Sequence, residues 1–112
     1  MRRNTLDSSI IRFDFDGDTI DVVLRDGRLW VSVASVSRHL GLVPSKQVQR
    51  LKRHRWATST MMVGVAHDGR RRAMFYLDVR RLPMWLATIN AGKVHKALRP
   101  KLVRYQEEAA EV

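Results

Sequence analysis

Between Ile10 and Val31 apolar and polar residues alternate, and the alternation is interrupted twice, at Asp16-Gly17 and Asp26-Gly27. A period of two marks strands with one buried face, and Asp-Gly is a favoured two-residue hairpin turn because both positions tolerate positive φ. Closing the chain on Asp16-Gly17 sets Phe13 opposite Ile20, Ile11 opposite Val22, and Arg12 opposite Asp21 as a cross-strand ion pair. Closing it on Asp26-Gly27 sets Leu24 opposite Leu29 and Val22 opposite Val31. The two turns, chosen independently, collect Ile11, Phe13, Ile20, Val22, Leu24, Leu29 and Val31 on one face. A three-stranded meander is the expectation.

The period then changes. Val33, Val36 and Leu40 fall at i, i+3 and i+7, the spacing of one helical face. Gly41 stands where that helix should stop, and Pro44 or Ser45 can open a second helix with Val48 and Leu51 inward. The remaining faces of the second helix carry Lys46, Gln47, Gln49, Arg50, Lys52 and Arg53. Two short helices joined by a tight Gly turn, the second lined with Lys, Arg and Gln, form the pattern of a helix-turn-helix.

The pair ends near His54, and Thr58 to Leu77 reads as a further hairpin. Turning it on Asp68-Gly69 pairs Met62 with Phe75, Val63 with Met74 and Thr60 with Leu77, and places Arg70, Arg71 and Arg72 at the tip of a wing. Asp78 can cap a third helix, in which Leu82, Trp85, Leu86 and Ile89 share a face. Asn90-Ala91-Gly92 stops it. A last helix runs from about Arg99, with Leu98 at its start and Leu102, Tyr105 and Ala109 inward. Its end carries Glu107, Glu108 and Glu111, which oppose the macrodipole and suggest continuation or docking on something basic. The expected fold is α+β in a single domain: an N-terminal β meander, a helix-turn-helix-like pair, a β-hairpin wing and two C-terminal helices. Residues 1–9 read as a flexible leader and 10–112 as the folded unit. The expected core holds Phe13, Val36, Leu40, Leu51, Trp56, Leu82, Trp85, Leu86, Ile89, Leu102 and Tyr105, with Trp30 on the second face of the meander.

Composition changes this picture mainly through charge. The 112 residues carry a net charge of +10, and the charge is segregated. No acid occurs between Asp26 and Asp68 or between Asp78 and Glu107, while both spans are rich in Lys and Arg. Such a surface suits a polyanion or an acidic protein partner. No cysteine is present, which excludes a disulfide scaffold, a thiolate metal site and a cysteine nucleophile, and fits a reducing cytoplasm. No apolar run approaches the roughly 20 residues of a membrane span, and MRRNTLDSS lacks the apolar segment of a signal peptide.

Catalytic and metal chemistry find no support. Asp14, Asp16 and Asp18 resemble a calcium loop, but Arg25 stands where the bidentate Glu is needed, and a hairpin turn explains the aspartates. His39, His54, His67 and His95 are scattered without ligand spacing. Ser32, Ser35 and Ser37 have no neighbouring acid, and there is no glycine-rich phosphate loop. The chain reads as a non-enzyme without metal or cofactor.

The last third carries a resemblance. Leu82-Pro83, Trp85-Leu86, Thr88-Ile89-Asn90, Lys93-Val94, Leu98-Arg99, Lys101-Leu102 and Tyr105-Gln106 with Glu108 resemble the tail motif of phage antirepressor N-terminal domains of the P22 type, related to the BRO-N domain. Upstream, Leu40-Gly41-Leu42, the Gln/Arg/Lys-rich helix and Trp56-Ala57-Thr58 are similar as well. The likeness spans roughly residues 10 to 110. Longer members continue into a second domain, whereas this sequence stops at Val112.

The resemblance implies a phage or prophage transcription regulator that binds a phage repressor protein and relieves repression. The residues themselves support an alternative, direct binding of double-stranded DNA, with a nucleoid location. Gln47, Arg50 and Arg53 would then read base edges, and Lys46, Lys52, Arg70, Arg71 and Arg72 would hold phosphates. Homo-oligomerisation through the last helix is a further expectation.

Overall fold

The computed structural model describes residues 8–15, 17–65 and 68–110, with the side chains of 8–13, 15 and 65 left aside. Five strands form one antiparallel sheet: β1 (Ser8–Phe15), β2 (Asp18–Arg25), β3 (Arg28–Ser32), β4 (Ser59–Val65) and β5 (Arg71–Asp78), in the order β1-β2-β3-β5-β4. The helices α1 (Val33–His39), α2 (Pro44–Lys52), α3 (Leu82–Thr88) and α4 (Arg99–Ala110) supply the buried residues that pack with Ile20, Val22, Val31 and Leu77 of the sheet.

The meander has the expected register. Phe13 lies opposite Ile20, Ile11 opposite Val22 and Arg12 opposite Asp21; Val22 lies opposite Val31 and Leu24 opposite Leu29. Asp26 and Gly27 both have positive φ, 52° and 76°, which is what a type I′ turn requires. Leu24, expected on the buried face, is 38% exposed because it lies near the strand's end. The first strand starts at Ser8, so Ser8 and Ser9 belong to the sheet rather than to a leader; residues 1–7 lie outside the described residues. The Phe13 side chain also lies outside them.

The second hairpin differs from expectation by one residue. Met62 pairs with Met74, Val63 with Ala73 and Thr60 with Tyr76. Gly69 has φ +83°, but Asp68 does not have positive φ, so Asp68-Gly69 is not a type I′ pair. Asp68 Oδ1 accepts a hydrogen bond from the Arg70 amide at 3.0 Å, and the loop between Val65 and Arg71 has an odd number of residues. A shift of one residue exchanges the faces of every side chain. Phe75 and Leu77 therefore face the helices, while Met62 and Tyr76 join Val23 and Trp30 in a smaller apolar cluster. The expected hairpin is present, and it also joins the meander. Strand β5 pairs with β3 through Trp30–Asp78, Val31–Leu77 and Ser32–Tyr76, which makes β4 an edge of the common sheet.

The helix ends follow local chemistry. Ser32 Oγ accepts from the Ser35 amide at 3.1 Å and caps α1. At its other end the Leu42 amide donates to Ser37 O and the Gly41 amide to Arg38 O, with Gly41 at φ +69°, a Schellman motif. Pro44 opens α2 and Asp78 caps the 3₁₀ turn (Val79–Arg81) that leads into α3. Val36, Leu40, Leu51, Leu82, Trp85, Leu86, Ile89, Leu102 and Tyr105 are buried as expected. Trp56 is half-buried against the core, with its ring stacked on His54 at 5.1 Å.

Asp18 ties three elements together. Its Oδ2 accepts from Lys101 Nζ at 2.8 Å and from the Tyr105 hydroxyl at 2.9 Å on α4, and its Oδ1 lies 3.5 Å from His39 Nδ1 on α1. Burial pushes the carboxyl upward, but the bonds from Lys101 and Tyr105 and the nearby His39 hold it below the usual range. The buried Asp78 is likewise held low, chiefly by the Arg80 guanidinium at 2.8 Å.

Candidate functional site

The four-residue link from Leu40 to Val43 sets α1 and α2 as the expected helix pair. The exposed face of α2 is not the expected one. Gln47 is only 7% exposed. Its Oε1 accepts from the indole Nε1 of the buried Trp85 at 3.0 Å and from Arg50 Nη1 at 3.0 Å. The other end of the Arg50 guanidinium donates to Thr88 O at 3.1 Å and Thr88 Oγ1 at 3.2 Å. Gln47, read from the sequence as outward, is thus corrected to an interior residue, and Arg50 is half-buried and bonded to the end of α3. Physically, Gln47 stands one helical turn before the buried Leu51, and its polar end is accommodated because an indole donor waits beneath it.

The other basic candidates remain on the surface. Lys46, Lys52, Arg53, Arg70, Arg71 and Arg72 are exposed. Lys52 Nζ lies 6.0 Å over the Phe75 ring on β5. Arg71 stands four residues beyond Phe75, about 13 Å farther along the strand. Arg72 is paired with Asp68 at 2.6 Å within the hairpin loop. The structure therefore divides the candidates into two groups. Gln47 and Arg50 bond to α3, with Lys46 beside them, while the tip arginines sit far out on the hairpin; Lys52 and Arg53, at the end of α2, belong to neither group.

Around the first group lies a cleft of about 430 Å³. It is lined from the helix-pair side by Gly41, Leu42, Val43, Lys46, Gln47 and Arg50, and from the far side by Thr88, Ile89, Asn90 and Lys93. None of the lining residues is acidic, and Lys46, Arg50 and Lys93 have no carboxylate partner among the described residues. A second cavity of about 450 Å³ holds Arg28 and Arg80, but there the buried Asp78 lies 3.9 Å from Arg28 and 2.8 Å from Arg80. Of these two clefts, it is the first that leaves its cations uncompensated among the described residues.

The far wall is held in place by its own bonds. Asn90 Oδ1 accepts from the Gly92 amide at 2.8 Å, Arg99 Nε donates to Val94 O at 3.3 Å, and Val94 is buried. Thr88, Asn90 and Lys93 belong to the motif that carries the resemblance but were not among the binding residues read from the sequence. They stand about 40 residues from Gln47, and their position at the end of the third helix and its polar stop was the signal for exposure. Among the described residues no three His, Asp or Glu gather as metal ligands, and no helix is long and apolar enough to cross a membrane.

A family model, the P22_AR N-terminal domain, matches residues 11–112. No curated protein and no solved structure matches the chain.

Proposed function

Because the chain belongs to the P22_AR N-terminal domain family, we propose that it is a phage or prophage antirepressor that binds a phage repressor protein and relieves repression. The repressor would be inactivated by occupation of its surface, so no catalytic step and no cofactor enter. The observation that carries this reading over direct DNA recognition is the placement of Gln47 and Arg50. A helix-turn-helix reads sequence with side chains free to meet base edges in the major groove. Here the amide oxygen of one and the guanidinium of the other are bonded within the α2–α3 junction, and what faces outward is a concave cationic cleft suited to a protein. The site of action would be the cytoplasm of the bacterial host. The test is a binding assay between the purified chain and the repressor encoded beside it, in which a stable complex of defined stoichiometry is expected.

A second reading, direct duplex binding, is favoured by one observation. Lys52, Arg53, Arg70 and Arg71 are exposed and have no carboxylate partner among the described residues. Such groups anchor phosphates without reading sequence. On that reading Arg71→Ala weakens binding to all duplexes alike and reduces the slope of log affinity against log salt by about 1. An unchanged slope removes the hairpin tip from the interface.

A further inference from the structure

We propose that the cleft between the α1–α2 link and the end of α3 is an acidic-peptide site, taking an Asp or Glu side chain together with an adjacent apolar residue of the protein partner. The inference rests on the antirepressor reading only for the identity of that partner.

Gln47 fixes the polarity of the cleft. Trp85 Nε1 and the Arg50 guanidinium can only donate, so the Gln47 oxygen must face them. The planar amide then turns its NH₂ group the other way. That nitrogen donates to no group among the described residues and is not sealed from solvent, and Gln47 is one of the residues that line the cleft. A nearly buried donor pair therefore opens onto a hollow walled by Lys46, Lys93 and the Arg50 guanidinium. The two lysines and the fixed amide donor call for an acceptor, the bonded Arg50 guanidinium keeps an uncompensated charge, and a carboxylate supplies acceptor oxygens and negative charge together.

The shape selects the source of that carboxylate. A hollow of about 430 Å³ holds one or two side chains. A DNA duplex presents its phosphates on a broad convex cylinder and cannot follow the walls inward. Apolar surface lies beside the charges: Val43 is 53% exposed at the rim, and Leu42 and Ile89 form part of the wall. A segment that offers an apolar side chain next to its acid fits both.

The test is an amide NMR titration of the whole chain with three probes: N-acetyl-Leu-Glu-Leu-amide, its Gln counterpart, and inorganic phosphate. The Glu peptide is expected to shift the Gln47 side-chain NH₂ resonances saturably, with little response to the other two. Lys46→Ala/Lys93→Ala should weaken the Glu peptide by roughly fivefold to tenfold. Both lysines are exposed, so the melting temperature should hold and the loss can be read as binding. Equal shifts from the Gln peptide, or no shift from the Glu peptide, overturn the proposal. Phosphate that reproduces the shifts also overturns it, in favour of a nucleic-acid or phosphorylated ligand. Because no repressor is used, failure here leaves the antirepressor reading standing. Failure of the unaltered chain to bind a repressor would in turn leave this titration unaffected.

Discussion

Replacing Gln47 separates an interior residue from a recognition residue. Gln47→Leu preserves most of the side-chain volume but removes the acceptor of the Trp85 indole N–H, and Trp85 is 1% exposed. A buried donor left without a partner costs about 1–3 kcal/mol, whereas an exposed substitution away from such features changes stability by about 0.5 kcal/mol or less. Arg50 Nη1 loses the same acceptor but keeps Thr88, so its share is small. A loss of about 2 kcal/mol at a urea slope of about 2 kcal/mol/M moves the unfolding midpoint down by about 1 M. Gln47→Glu, which retains oxygens for both Trp85 and Arg50, should lose less than Gln47→Leu. The assay is urea unfolding followed by tryptophan fluorescence, with the slope compared between variants. A midpoint for Gln47→Leu within about 0.2 M of the unaltered chain would refute the placement of Gln47 and return it to the list of base-reading candidates.

Other outcomes follow from single contacts. Asp18→Asn loses the charge that receives Lys101 and Tyr105 and should destabilise by about 1–2 kcal/mol at neutral pH. The folded Asp18 and Asp78 carboxyls titrate below their unfolded values, so the stability they contribute is present above the unfolded carboxylate range near pH 4. It is lost as pH falls through the folded values. The acid limb of a melting-temperature profile should accordingly flatten in Asp18→Asn. Gly41→Ala places a Cβ at φ +69° and 2.7 Å from Leu98 Cδ1; the Leu98 methyl can move, the backbone strain cannot be relieved, and a loss of about 1–2 kcal/mol in chemical unfolding is expected.

Much of the fold could be read from the sequence because its signals are local. Asp26-Gly27 fixes a register by itself, since both residues take the positive φ that a two-residue turn demands. The same dipeptide at Asp68-Gly69 misled, because Asp68 uses its side chain to bond the Arg70 amide and the loop takes up an additional residue. Leu82, Trp85, Leu86 and Ile89 share a face as their spacing says. The union of meander and hairpin through β3 and β5 was not legible, as it joins residues more than 40 positions apart with no local mark.

The candidate site was less legible for the same reason. A polar residue on a basic helix is assigned outward unless its partner is known, and the partner of Gln47 is an indole 38 residues later. Asp18 looked like one of three turn aspartates, yet it anchors α4 to the sheet. Lys93, on the far wall of the cleft, had nothing in its own segment to pair it with Lys46.

On the proposed function this chain acts on a repressor protein rather than on DNA. The most direct measurement is the fluorescence anisotropy of a labelled operator bound to the repressor encoded beside this chain, with the chain titrated in at about 150 mM salt. On that reading anisotropy falls to that of free operator at near-stoichiometric chain. The chain added to operator alone then produces no change. Anisotropy that stays high, with the chain itself binding the operator and doing so more weakly as salt rises, would contradict it.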